Sequence, residues 1–189
     1  MLHRPVPIGE LIYLVDPVFG KTLAKQRFRH PTTGEEYDYI FLHGTARWSS
    51  MVMPITEDGK VVIVYQFRHG ANDYIYEFPG GNADGAESPI EVAARELTEE
   101  TGFVAKKVLP LVPENIFIEP VSSMGRLYVY LAVGCQKVKE PTLDPYEFLE
   151  IQCFPLEKWF QMIRQGTIVD MKTVAITHLA EPLLKEVGY

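Results

Sequence analysis

Three glutamates, Glu96, Glu99 and Glu100, stand at i, i+3 and i+4 within residues 80–103, GGNADGAESPIEVAARELTEETGF. On a helix that spacing puts them in an arc of roughly 100°. Carboxylates so close repel one another unless a cation lies between them. All-oxygen donors suit Mg²⁺ or Mn²⁺, which take carboxylates, water and substrate phosphates. The same side chains could equally be the solvated acidic face of a surface helix.

The helix that would carry them has clear ends. Ser88 can be its N-cap, Pro89 its N1 residue and Glu91 its N3 residue, a capping box with proline where proline is tolerated. Gly102 can supply a left-handed C-cap. Ile90, Ala94, Leu97 and Thr101 fall on one side, the expected packing face, with the glutamates pointing mostly away from it.

The wider spacing decides between the two readings of the glutamates. The segment reads G-x5-E-x7-R-E-U-x-E-E-x-G-U, with U apolar. Gly81, Glu87, Arg95, Glu96, Leu97, Glu99, Glu100, Gly102 and Phe103 fill every fixed place. This is the Nudix box, and the chain resembles the Nudix hydrolase family. The resemblance implies a loop–helix–loop that holds divalent metal, Mg²⁺ or Mn²⁺, on a nucleoside diphosphate linked to another group. It implies Glu96 and Glu100 as principal ligands, Glu99 as a third ligand or nearby carboxylate, and the Gly80 carbonyl as a further ligand. Glu87 and Arg95 are implied as supports, an Arg–carboxylate pair holding the helix to its loop.

Flanking residues narrow the branch. YQFRHG followed by YEFPGG, with Pro120 beyond the box, is similar to ADP-ribose and nucleoside-diphosphate-sugar pyrophosphatases. The ending GTIVDMKTVAITHL also resembles that branch. The loop Ser122-Ser123-x-Gly125 is only similar to the branch's own, lacking an acidic residue that often follows. In that branch the catalytic base often comes from an acidic loop, which here reads LDPYEFLE. Glu147 is the first choice, Glu150 the second and Asp144 the third, and any of them could be a plain solvated carboxylate. Arg68, at the end of an apolar run, could bring a guanidinium fork to the diphosphate or simply cap a strand. Glu77, Phe28 and Arg29 are further candidates for substrate contact. Trp48, Tyr74 and Tyr76 could hold a base or belong to the core. His43 and His69 are scattered, whereas zinc needs grouped ligands.

The elements that must position these residues alternate strand and helix. Residues 48–54 and 61–67 read as strands around the turn Glu57-Asp58-Gly59. Residues 74–78, 126–133 and 147–154 read as further strands. Residues 156–165 have helical spacing, and Asp170 can cap a last helix in which Pro182 predicts a kink or break. The expected fold is α/β, and the resemblance makes it a Nudix-type α/β/α sandwich with a mixed β-sheet and an N-terminal β-region. Residues 1–47 would be that β-region, which the resemblance links to homodimerisation, and 48–189 the Nudix hydrolase domain. In the first region, residues 21–30 form a basic run (Lys21, Lys25, Arg27, Arg29 and His30), either a charged strand edge or a contact for phosphate or base.

Composition is consistent with this. A chain of 189 residues, 47% apolar, can bury one sizeable core. Two cysteines make no disulfide framework. No apolar run approaches membrane length and no signal peptide is evident, which predicts a cytoplasmic protein. A net charge of −7 argues against general nucleic-acid binding. The expected reaction is metal-dependent hydrolysis of a nucleoside diphosphate sugar, ADP-ribose first among them, to a nucleoside monophosphate and a sugar phosphate. The alternatives are a nucleoside-triphosphate or RNA 5′-end pyrophosphohydrolase and a non-catalytic nucleotide-binding module.

Overall fold

The computed structural model describes residues 3–44, 46 and 48–189. Of the N-terminal β-region expected over 1–47, residues 1, 2, 45 and 47 lie outside the described set. Among the described residues twelve strands and three helices follow one another. In order they are β1 (Val6–Tyr13), β2 (Lys21–Arg29), β3 (Glu36–Gly44), β4 (Trp48–Thr56), β5 (Lys60–Arg68), β6 (Asp73–Glu77), β7 (Gly80–Asn82), α1 (Pro89–Thr101), β8 (Phe103–Val104), β9 (Lys107–Pro110), β10 (Ile116–Phe117), β11 (Arg126–Lys137), β12 (Leu149–Pro155), α2 (Leu156–Arg164) and α3 (Met171–Glu186). They fall into two compact units, Met1–Arg47 with Phe117–Arg126, and Trp48–Ile116 with Leu127–Tyr189.

The first unit holds an antiparallel sheet in the order β1-β2-β3. The basic run is its middle strand rather than an edge. Three of its charges are met across the sheet, where Asp38 accepts from Lys25 and Arg27 and Glu36 accepts from Arg29. Those two cations hold the Asp38 carboxyl down to about 2. The β2–β3 turn closes as its proline and glycine suggest, with Gly34 at φ 74° and its N–H donating to His30 O at 3.0 Å. Residues 117–126 join this unit, Leu42 N–H donating to Ser122 O at 2.7 Å.

The second unit is a mixed sheet with helices on both faces, the α/β/α sandwich expected. Its central path runs β10-β11-β4-β5-β12, with β6 and β7 added to β5 and β4. β4 and β5 are apolar enough to be covered on both sides, as central strands are. Their turn is set by Gly59 at φ 76° and by the Thr56 hydroxyl, which donates to Asp58 and accepts from Lys60 N–H. On one face Val52, Tyr130, Ala132 and Cys135 pack with Ala93 and Leu97 of α1. Alternation turns Met51 and Met53 to the other face. Trp159 of α2 is fully buried, its ring 5.4 Å from that of Phe78 and its indole N–H donating to Thr177 of α3 at 3.0 Å.

Two expectations about helices change. The buried side of α1 is Val92, Ala93, Leu97, Glu100 and Thr101, while Ile90 and Ala94 are exposed. The packing face is therefore rotated toward the glutamates, because α1 lies against β4 and β7 as well as β8. The last helix is not broken at Pro182 but continues to Glu186. Its buried line is Thr173, Ile176, Thr177, Ala180 and Leu184, so two threonines pack while the apolar Met171 and Leu179 stay exposed.

Candidate active site

The site is built on α1, which is fixed at both ends. At the N-terminus the Glu91 carboxylate accepts from the Ser88 backbone N–H at 2.8 Å and from its hydroxyl at 2.6 Å. At the C-terminus Gly102 is left-handed, φ 74°, and its N–H donates to Thr98 O at 2.9 Å. Gly102 O then accepts from Val138 N–H at 2.9 Å, and Glu99 O from Thr142 N–H at 2.7 Å. These bonds lash the loop after β11 to the glutamate-bearing turn of the helix, so that residues of the 142–147 loop reach the same space as the glutamates.

Arg95 organises the acidic side. Its Nε and Nη2 take both oxygens of Glu87, at 2.8 and 3.1 Å, the bidentate pairing of a guanidinium fork. Nη2 also donates to Asn82 O at 2.8 Å, which holds the loop before the helix. Nη1 stands between Glu96 at 2.9 Å and Glu99 at 2.7 Å. Arg95 and the Asp84 N–H hold the Glu87 carboxyl below its usual range. Burial pushes Glu96 up, with Glu99 and Glu147 adding and Arg95 opposing. Glu100, only 3% exposed, is pushed well up by burial and then by Glu96 and Glu147. Among the described residues it accepts one hydrogen bond, from the Gly80 N–H at 2.9 Å.

The glycines before α1 are there for close approach. A Cβ on Gly80 would strike Ser50 O and Met51, and one on Gly81 would enter the Glu96 carboxylate. No other residue lets β7 lie this close to the helix.

Around these groups opens a polar cavity of about 630 Å³. Gly80, Glu96, Glu99, Glu100, Arg68 and Glu147 all line it, so most of the residues singled out in the sequence meet in one place. Glu150 does not line it. It pairs with Tyr65 in the β12–β5 register, next to the Leu149–Gln66 pair, and alternation puts it on the opposite face from Gln66. Glu77 is 1% exposed and sits behind the cavity wall, paired with Arg68 Nε and with Lys172 Nζ, the latter at 3.3 Å. Lys172 also meets Asp170 at 2.6 Å. Asp170 caps α3 by accepting from Thr173 N–H at 2.8 Å. Burial would raise its carboxyl, but Lys172 and Thr173 outweigh this and leave it low.

Phe28 and Arg29 belong to β2 of the other unit, where Phe28 stacks on Tyr37 and Arg29 pairs with Glu36. Trp48 meets Tyr128 edge-on, and Tyr74 and Tyr76 pack against Tyr65. Sequence reasoning missed Gln66, Asn82 and Thr142 in the lining, and Lys172 behind it. Gln66 stands in an apolar run, which gave a signal: a lone amide among VVIVYQF is out of pattern for a covered strand.

The donor set fits a hard divalent cation. It is all oxygen, two of its carboxylates are buried against their own charge, and it opens on a polar cavity. Among the described residues no three acidic, His or Cys side chains converge as a closed cluster, Arg95 standing between Glu96 and Glu99.

Comparison with known proteins agrees with this geometry. The model of the NUDIX domain matches residues 45–171. The chain belongs to the Nudix family. It is a hydrolase of that family, of the pyrophosphatase kind. Nudix enzymes generally use divalent metals. ADP-ribose pyrophosphatase of Bacillus subtilis is 33% identical over 130 residues, 68% of this chain and 69% of that protein. ADP-ribose pyrophosphatase of Mycobacterium tuberculosis is 31% identical over 126 residues, 66% and 60% of the two chains. The crystal structure of an ADP compounds hydrolase superposes with a TM-score of 0.82 at 22% identity, over 100% of this chain and 98% of that one. Within the Nudix family the chain thus resembles the ADP-ribose pyrophosphatase branch.

Proposed function

We propose that this Nudix hydrolase cleaves the diphosphate bond of a nucleoside diphosphate sugar, ADP-ribose foremost, to give a nucleoside monophosphate and a sugar phosphate. The observation that carries the reading is the convergence of Glu96, Glu99, Glu100, Gly80, Arg68 and Glu147 on one cavity. The similarity to ADP-ribose pyrophosphatases supports the choice of substrate. Glu96 and Glu100, with Glu99 and the Gly80 carbonyl, would hold Mg²⁺ or Mn²⁺. Such an ion, when bound, neutralises the diphosphate and acidifies the attacking water. Arg68 has its Nε engaged by Glu77, so its terminal nitrogens are what it can offer a phosphate oxygen. Glu147 takes the proton of the attacking water. Its presence in the lining favours it over Glu150, and Asp144, also in the lining, is its reserve.

The first unit serves a homodimer in this reading. Ile12, Leu23, Ile40 and Leu42 are exposed by 43–52% on one face of its sheet, which a second copy would cover. A mass of one chain by light scattering at micromolar concentration would sink that part. We place the protein in the cytoplasm. Its two free cysteines, and the lack among the described residues of a helix long and apolar enough to cross a membrane, are compatible with this.

The test is a turnover panel of ADP-ribose, GDP-mannose, UDP-glucose, a dinucleoside polyphosphate, dGTP and 5′-triphosphorylated RNA, each with Mg²⁺ and Mn²⁺ and with products identified. Dominant cleavage of ADP-ribose or another diphosphate sugar is expected. Preference for dGTP or RNA would overturn the substrate, and no turnover with either metal would leave a binding module.

A further inference from the structure

Gln66 is 5% exposed, yet its side-chain oxygen has no hydrogen-bond partner among the described residues. It sits on β5 between Val64 and Arg68, opposite Ile75 of β6 and Leu149 of β12. Its neighbours across the sheet are therefore apolar, and an unpaired buried acceptor costs folding free energy. A native core rarely keeps such a group without a use. The residue lines the cavity, whose wall it shares with Arg68, Glu96, Glu100 and Glu147.

The kind of partner follows from what the cavity holds. Its carboxylates are acceptors, and the oxygens of an ionised diphosphate are acceptors too. When ionised, none of them can donate to an amide oxygen, and of the cations in the lining Arg95 is engaged by Glu87, Glu96 and Glu99, while Arg68 has its Nε on Glu77 and, in the reading above, its terminal nitrogens on phosphate. A carboxamide turns easily about its last bond, so its oxygen can meet a donor that arrives in the cavity. The donor that the reaction itself requires there is water.

We propose that Gln66 is a catalytic residue that accepts a hydrogen bond from the attacking water and, with Glu147, aims it at phosphorus. This rests on the pyrophosphatase reading above. The water oxygen forms the new P–O bond. The bond to the leaving phosphate breaks, and its electron pair departs on that phosphate. One water proton passes to Glu147, and the other, the one directed at Gln66, stays on the transferred oxygen. Two fixed acceptors hold both O–H bonds and so turn the water's lone pairs to the side of phosphorus, which is an orientational gain realised in the transition state.

The experiment compares Gln66→Met and Gln66→Ala with the wild type in kcat, KM, Tm and Mn²⁺ affinity, the last by electron paramagnetic resonance without substrate. Gln66→Met keeps the side-chain length and removes both hydrogen-bonding atoms. We expect kcat to fall about 10- to 100-fold, with KM within about twofold and Mn²⁺ affinity unchanged. Tm should hold or rise, since a residue kept for structure would lower it and a residue kept for catalysis would not. Gln66→Ala, with space for a water in place of the amide, should lose less than Gln66→Met. Unchanged kcat in both variants overturns the proposal. So does a rise in KM at constant kcat, which would make Gln66 a substrate contact, or a loss of Mn²⁺ affinity, which would make it a support of the ion site. Glu147→Gln is measured beside them. Full activity there removes Glu147 from the functional reading, while the Gln66 variants still decide whether the water is held from β5.

Discussion

The sheet β1-β2-β3 and the wall of the cavity both carry dense charge, and they treat it in opposite ways. On the sheet three cations of β2 have a carboxylate across the strand and each pair faces water. Lys25 and Arg27 share Asp38, and Arg29 has Glu36. Around α1 the signs do not balance. Glu87, Glu96 and Glu99 share the single guanidinium of Arg95, while Glu100 is buried with a backbone amide. Matched exposed charge is cheap and of little energetic consequence. Unmatched buried charge costs stability, and a fold keeps it where it has a task.

The sharpest way to break this contrast is at Glu100. Glu100→Gln should fold, since an amide is easier to bury than a carboxylate, and should lose about 10²–10³-fold in kcat, the scale of removing one electrostatic contributor. Near-normal turnover would mean that the buried charge is not catalytic. A smaller effect is expected at Glu77, which is buried but matched. Glu77→Ala strands Arg68 and Lys172, whose side chains are 43% and 28% exposed, so water recovers part of the loss. We expect a cost of about 2 kcal/mol, seen as a fall in Tm of about 4–8 °C. No change in Tm would place Glu77 with the surface pairs. The smallest effect belongs to Asp38. Asp38→Asn should leave activity and, at neutral pH, Tm close to wild type by calorimetry. Its carboxyl is lowered in the fold, so whatever it contributes is present above the ordinary carboxylate range and fades as pH falls toward about 2. A large loss of Tm at neutral pH would show the sheet's charges to be structural.

What could be read in the sequence and what could not divide along the same line. Ser88, Pro89, Glu91 and Gly102 bound the helix correctly because caps are local chemistry. The turn at Asp58-Gly59 and the cap at Asp170 were legible for the same reason. The packing face of α1 was misjudged because apolarity was taken as the guide, and the helix buries Glu100 and Thr101 against β4 and β7. Pro182 stays inside α3 because tertiary packing of Ala180 and Leu184 outweighs the lost hydrogen bond. The pairing of Glu77 with Lys172 spans 95 positions and leaves no local trace. Within the site, the glutamates of the box were visible by spacing. Gln66 showed only as a lone amide in an apolar run, since its meaning lies in the partner it lacks.

The burial of Trp159 against Phe78 has a spectroscopic consequence. The chain has two tryptophans, and Trp48 sits beside Tyr128 while Trp159 rests on the residue that leads through Pro79 into Gly80. Displacement of that glycine turn is transmitted through one phenyl ring to a fluorophore shielded from solvent. The native emission of Trp159, isolated with Trp48→Phe, is therefore a built-in optical gauge of what happens at the mouth of α1, readable without a label and on the millisecond scale of turnover.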